Sequence, residues 1–264
     1  MQNFNVTVIL KKIAPNPRHQ STHLESIARV EEALSKRNIF YQITSRHSRN
    51  NISSANLIVT VGGDGTFLHA SHLALNGQIL MGINSVPQAS HGEYCVSDAQ
   101  GFPAILDQFL SGKSKITEVY RLQAKIKNRT LPVLALNDIL FCHPCPAGTT
   151  RYQIEVDHQK EEQKCSGVWI STATGSTAAT HSAGGKILSK EDPHFQFVVR
   201  EPFSTKKNTL RLTHGVLAPH QTLKLSPHMP KAMVFIDGSH HAFSMNEGEV
   251  LSIGVSKKKL KMVI

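Results

Sequence analysis

The chain has 264 residues, 40% of them hydrophobic and 18% charged, which excludes a disordered or fibrous protein and allows one large domain or two modest ones. A formal charge of +10 suits an anionic partner such as a phosphate-rich small molecule as well as it suits a solvated basic surface. Aromatic residues make up only 6% and no basic stretch is interleaved with them, which argues against nucleic acid as the partner. No apolar run approaches the ~18 residues of a membrane span, and residues 1–6 lack the charged start and apolar stretch of a secretory signal. Four cysteines are too sparse for a disulfide framework, so a cytoplasmic protein without a membrane partner is expected.

Residues 6–10 are β-branched and apolar, the mark of a buried strand. Leu24, Ile27, Ala28, Val30 and Leu34 share one face of a helix expected over 21–38. Further strands are expected at 40–44 and 57–61, then a helix over 66–75, a strand over 79–83 and a helix over 98–110. Strands alternating with helices predict an α/β N-terminal domain, an open Rossmann-like parallel sheet over 1–102 with its ligand at the carboxyl ends of the strands. From there the texture changes. Residues 115–127, 132–141, 152–156 and 168–172 are strand-like and separated by turn residues, with one short helix near 175–184. A mostly β C-terminal domain over 103–249 follows, and the apolar-basic tail, about 250–264, is placed back on the first domain.

Two segments carry chemistry. Gly62-Gly63-Asp64-Gly65-Thr66 lies where a strand becomes a helix; its glycines permit close backbone approach, and a helix N-terminus favours anions. A carboxylate inside a phosphate turn makes sense as a magnesium contact or as the acceptor of a hydroxyl proton, which marks Asp64 as the catalytic candidate. The alternative is a tight connection in which Asp64 caps the helix. The turn lacks the Gly-Lys-Ser/Thr ending of a Walker loop and the spaced glycines of the dinucleotide fingerprint. The second segment, 171–185, is dense in small residues and hydroxyls, which suits a flat ligand bearing ribose and phosphate oxygens and equally suits a capped, closely packed helix start. Cys142-His143-Pro144-Cys145 has no second ligand pair at zinc spacing and reads as a turn. Lys206-Lys207 and Lys257-Lys258-Lys259 read as solvated faces.

A Gly-Gly-Asp-Gly turn after an apolar strand resembles the superfamily of NAD kinases, diacylglycerol and sphingosine kinases and 6-phosphofructokinases. Thr174-Gly175-Ser176-Thr177-Ala178 with Ser182-Ala183-Gly184-Gly185, following the Asn137-Asp138 pair, is similar to NAD kinases in particular, and Ile236-Asp237-Gly238 is a fainter match. The resemblance implies an NAD kinase-like two-domain architecture and a phosphotransferase that converts NAD or NADH to NADP(H) by phosphorylating the 2′-hydroxyl of the adenosine ribose. It implies phosphate and nucleotide contacts at Gly62, Gly63, Gly65, Thr66, His69 and Asn84. NAD contacts are implied at Asn137, Asp138, Lys164, Ser166, Thr174, Ser176, Thr177, Ala178, Ala179, Thr180, His181 and Ser182. It further implies ATP or polyphosphate as donor, Mg2+ or another divalent metal held with the nucleotide through Asp64, and a homodimer or homotetramer.

Several positions depart from the usual bacterial pattern: an acid is replaced by Ser166, a proline by Ala173 and an aromatic by Ala179, and residues 85–95 replace a Gly-x-Leu-Gly-Phe segment. These features, with His143-Pro144-Cys145-Pro146-Ala147, resemble the plant-type NADH kinase and mitochondrial-type NAD kinase branch, which implies that NADH is accepted. The rival readings are a lipid kinase of the diacylglycerol or sphingosine type, which shares the glycine turn, and a non-catalytic NAD-binding regulatory module, suggested by Ser166 and Ala179.

Overall fold

The computed structural model describes residues 4–11, 17–45, 52, 54–204 and 209–264 and divides into two compact units, 1–118 with 260–264, and 119–259. Lys206-Lys207 lies outside the described residues.

The first unit is built from β1 (Asn5–Leu10), α1 (Pro17–Ser35), β2 (Phe40–Ser45), β3 (Leu57–Gly62), α2 (Asp64–Leu73), β4 (Ile79–Asn84), β5 (Cys95–Asp98), α3 (Phe102–Leu110) and β6 (Ile116–Val119). Helix α1 runs from Pro17, where proline's missing N–H costs nothing, to Ser35 rather than to 38. The chain leaves it through Asn38 at φ 53, with Ile39 N–H bonded to Leu34 O and Asn38 N–H to Ser35 O, a left-handed helix stop for which asparagine is well suited. The expected helix over 98–110 is β5 followed by α3, because the Asp98 carboxylate accepts the Gln100 and Gly101 N–H groups and turns the chain before the helix begins. The sheet order is β2-β1-β3-β4-β19-β6, where β19 is Leu260–Val263; β5 also pairs with β4. Strand β1 runs parallel to β2 and β3, and β4 runs parallel to β3, β5 and β19. Val30, Leu34, Phe102 and Leu106 bury against Val8, Val59 and Ile83, so α1 and α3 close one apolar core over the sheet.

The second unit is all antiparallel apart from one short helical segment. Its strands are β7 (Leu122–Ile126), β8 (Arg129–Ala135), β9 (Asp138–Cys142), β10 (Thr150–Val156), β11 (Gln159–Cys165), β12 (Gly167–Ser171), β13 (Phe195–Arg200), β14 (His214–Leu217), β15 (Leu223–Pro227), β16 (Lys231–Ile236), β17 (His241–Asn246) and β18 (Leu251–Val255). Two sheets, β11-β10-β15-β18-β7-β8 and β14-β13-β12-β9-β16-β17, share one apolar cluster that holds Ala124, Ile154 and Leu225 of the first and Phe141, Ile170, Phe197 and Val234 of the second. This is a sandwich whose inner faces alternate with exposed positions, as in the BeBiBiB burial of β10.

The boundary expected at 102 falls at the start of α3, inside the first unit; the chain instead crosses between units after Glu118. The expected single strand over 115–127 is interrupted at Tyr120-Arg121, and the tail divides in the same way, β18 serving the second unit and β19 the first.

Candidate functional site

In the first unit, β3 is buried along its whole length and delivers Gly62 to the carboxyl edge of the sheet. A side chain at Gly62 would lie 2.3 Å from Thr66 Oγ1, so glycine here is what lets the first turn of α2 fold back onto the strand. Gly63 is the N-cap, in an extended conformation and with no side-chain cap. The glycine turn is therefore shorter than the sequence suggests: Asp64 and Gly65 already belong to the helix, and Asp64 does not cap it. Its Oδ1 instead accepts the Tyr94 N–H at 2.9 Å, while the Tyr94 ring stacks on Phe67 of α2 at 5.0 Å. Burial, with the Asp64 charge adding to it, pushes the Cys95 thiol up to about 12, so it stays protonated beside that carboxylate. Thr66 is buried and His69 half-buried further along α2.

Asn84 ends β4, and its amide is committed to the loop that follows. Oδ1 accepts Val86 N–H and the Ser90 hydroxyl, both at 3.1 Å, and Nδ2 donates to Ser90 O at 3.0 Å. The structure thus gives Asn84 a loop-holding role at the edge of the turn. Gly92, at φ +70, presses against the same amide, and Ser90 approaches Gly63, so the segment 85–95 walls the glycine turn.

In the second unit, Leu136-Asn137 breaks the expected strand over 132–141 into β8 and β9. Three successive backbone N–H groups, of Leu136, Asn137 and Asp138, point at the carboxylate of Asp237 at 2.8, 2.8 and 3.0 Å, and the Asp237 N–H returns to Asp138 O at 3.0 Å. The Asp138 side chain is buried; desolvation, with the Asp237 charge adding to it, pushes its carboxyl up to about 7.

The expected short helix over 175–184 is a 3-10 turn, Thr174–Thr177, followed by α4 (Ala179–Ser182). The turn rests directly on Asn137: Thr172 N–H bonds to Asn137 O, and a side chain at Gly175 would lie 2.1 Å from that same oxygen. The Thr172 hydroxyl reaches Leu136 O and Thr174 Oγ1 and accepts the Gly175 N–H. Ser176 is fully buried, donating to Ala173 O and accepting the Leu188 N–H, so its hydroxyl holds the segment after α4 in place. Thr180 is buried as well, whereas Thr177, His181 and Ser182 are exposed and Ala178 and Ala179 half-buried. Ala179 and Ser182 line a groove of about 700 Å3 with Trp169 and Arg200.

Lys164 and Ser166 are not brought to this end of the unit. They line a pocket of about 370 Å3 with Arg151 and Phe203. On β12, Ser171 pairs with Asp138 while Val168 pairs with Phe141, so Ser166 lies beyond the far end of the strand, roughly 15 Å of extended chain away. The Cys142–Cys145 segment forms part of the turn between β9 and β10, with His143 Nδ1 accepting the Cys145 N–H.

Sequence reasoning passed over Asp237 as more than a faint match and missed Arg121 altogether. Arg121 is fully buried, donates from Nε to Lys258 O and from Nη2 to Lys259 O, and interacts electrostatically with Asp237; burial lowers its guanidinium to about 10. A lone arginine between two short apolar segments gave no periodic signal; only a contact across more than 100 residues shows what it does.

The family model described as "ATP-NAD kinase C-terminal domain" matches residues 118–264. The Oryza sativa subsp. japonica protein named "Probable NADH kinase" is 31% identical over 264 residues, covering 92% of this chain and 81% of that one. The NADH kinase of Arabidopsis thaliana is 32% identical, covering 88% and 80%. Among solved structures, an NAD kinase from Archaeoglobus fulgidus in complex with ATP superposes with a TM-score of 0.79 at 20% identity over 98% of this chain and 93% of that one. Yeast NADH kinase complexed with NADH does so with a TM-score of 0.79 at 19% identity over 99% and 84%. At such identities the structural likeness speaks for the fold.

Proposed function

Since the chain belongs to the ATP-NAD kinase family, we propose that it transfers a phosphoryl group from a nucleotide donor such as ATP to the 2′-hydroxyl of the adenosine ribose of NADH or NAD, with NADH a full substrate. The observation that carries this reading is the seating of the Thr174–Thr177 turn on Asn137, which joins two sequence-distant motifs into one cradle of hydroxyls, backbone and a buried carboxyl. Such a cradle suits a ribose: Asp138 accepts hydroxyl protons, and the small residues 178–179 leave room for a flat base.

In the first unit, the N-terminus of α2 and the glycines before it offer N–H groups and a favourable dipole to the donor phosphates. Asp64 is oriented through Oδ1 by the Tyr94 N–H, leaving Oδ2 to accept the proton of the attacking hydroxyl. The hydroxyl oxygen bonds to the terminal phosphorus, the bond to the bridging oxygen breaks, and the nucleoside diphosphate departs with that electron pair. Among the described residues no cluster of three or more His, Cys, Asp or Glu could hold a metal. A single carboxylate fits a magnesium ion carried mainly by donor phosphates, with Asp64 as its protein ligand, and such an ion would neutralise charge on the transferring group. His69 and Thr66 flank the donor phosphates on α2, and the exposed Thr177 and Ser182 contact NAD(H) on the second unit, with the buried Thr180 beneath them.

The test is an assay of NADP(H) formation with NADH and NAD against ATP and polyphosphate, for the unaltered chain and for Asp64→Asn. We expect product with both acceptors, and a fall in kcat of about 100-fold or more in Asp64→Asn with NADH binding held within a few-fold. Unchanged turnover in Asp64→Asn, or phosphorylation of a diacylglycerol in place of NADH, would overturn the proposal.

A further inference from the structure

We infer that Asp237, backed by the buried Arg121, is a positioning residue that sets the Asn137-Asp138 pair and, through Asn137, the Thr174–Thr177 turn for NAD(H) binding. The inference rests on the assignment of those two elements to NAD(H) and adds the device that holds them.

Three consecutive N–H groups converging on one carboxylate form an anion nest that the chain fills with its own side chain. With the return bond from Asp237 N–H to Asp138 O, the peptide planes on both sides of Asn137 are fixed. Fixed planes aim the Asn137 carbonyl at the Thr172 N–H and leave its surface bare for Gly175, so displacement of Asp237 would be felt at both elements. The backbone accepts strain for this. Asp237 sits at φ 48 and Gly238 at φ 98, two successive residues in the left-handed region, which an aspartate adopts less readily than a glycine.

A carboxylate is a costly choice for a merely structural turn, because it lies beside the buried acid Asp138. Filling the nest takes both of its oxygens, Oδ2 for the Leu136 N–H and Oδ1 for those of Asn137 and Asp138, where a neutral amide would offer one acceptor, so the repulsion comes with the nest. The charge becomes tolerable because the guanidinium of Arg121, itself locked to Lys258 O and Lys259 O, interacts favourably with Asp237. On the flanking elements the residue opposite Asp138 is Ser171 of β12, and Ile236 of β16 lies opposite Ile139, so neither supplies a second charge. Arg121 therefore acts on Asp237 and Asp237 on Asp138, one electrostatic row that adds to the larger effect of burial at Asp138. That dependence separates positioning from plain support: a structural turn affects stability, whereas this row also biases the protonation of the Asp138 carboxyl assigned to NAD(H).

The experiment uses the full chain with Asp237→Asn, Arg121→Gln and Arg121→Lys. It records kcat and KM for NADH over about two pH units either side of neutrality, and follows the Asp138 carboxyl by 13C NMR. Asp237→Asn keeps one oxygen for the nest and loses the charge. Its NADH KM should rise about tenfold, corresponding to ~1.4 kcal/mol, with kcat and the ATP KM changed less than about threefold, and the Asp138 midpoint should move down. Arg121→Gln should move the upper midpoint of the acid pair the opposite way, and Arg121→Lys should restore it. Where Arg121→Gln does not fold, Arg121→Lys and Asp237→Asn carry the test. An unchanged NADH KM in Asp237→Asn, or midpoints that ignore the substitutions, would overturn the positioning role. An unaltered chain that forms no NADP(H) would overturn the proposed function while the midpoints still report on the row.

Discussion

Asp138 ties pH to both stability and function. Its carboxyl ionises near 7 in the folded chain and near 3.9 when unfolded, so the folded state holds a proton that the unfolded state releases between those values. The contribution of this group to stability is whole below the unfolded value and is lost as pH rises through about 7. Asp138→Asn removes that dependence: its thermal midpoint should vary less between about pH 4 and 7 than that of the unaltered chain, as calorimetry at several pH values will show. Function runs the other way, since the ionised carboxylate is the better acceptor for ribose hydroxyls. The NADH KM should therefore fall as pH rises through about 7 in the unaltered chain and lose that trend in Asp138→Asn. An acid next to an asparagine can be picked out by eye in the sequence; its desolvation cannot, because the burying groups come from β12, β16 and residue 237.

At the scale of elements, the two glycines that bring backbone onto backbone are the sensitive points. Gly175→Ala would place a methyl carbon 2.1 Å from the Asn137 carbonyl oxygen, which must force the 3-10 turn off its seat. Overpacking of this kind costs about 1–3 kcal/mol, and we expect a lower melting temperature together with an NADH KM raised about tenfold or more, while the ATP KM holds. Gly62→Ala meets the Thr66 side chain at 2.3 Å and should act on the other substrate, raising the ATP KM and sparing NADH binding measured by calorimetry. Strand and helix periodicity located β1, β3, α2 and β4 to within a few residues, because buried parallel strands are continuous apolar runs. It missed β5, β11 and β13 to β17, and it joined β6 to β7 and β8 to β9, since the breaks at Tyr120-Arg121 and Leu136-Asn137 are made by partners more than 95 residues distant in the chain.

For the whole molecule, the last strand is the long-range closure. Leu260, Met262 and Val263 are buried in the first unit's sheet, with β19 beside β4 in parallel register. Removal of residues 260–264 would forfeit the burial of these three side chains, about 1.5–3 kcal/mol each, and leave Ile79 and Leu80 of β4 without their β19 partner. We expect the shortened chain to lose helical circular dichroism at a lower temperature than the full chain, with the sandwich signal affected less; coincident, unshifted melting would contradict this. By itself the sequence determined the two fold classes and the glycine turn at Gly62 to Thr66 between a strand and a helix, because each is written in contiguous residues whose periodicity or backbone freedom is local. Tertiary structure alone decided that Asp64 is aimed by Tyr94, that Asn84 serves its loop, that Lys164 and Ser166 lie apart from Asn137, and that burial and the Asp237 charge raise the Asp138 carboxyl while Arg121 bears on Asp237. Each of those depends on desolvation and on hydrogen bonds between residues far apart in the chain, which arise only when the sheets close.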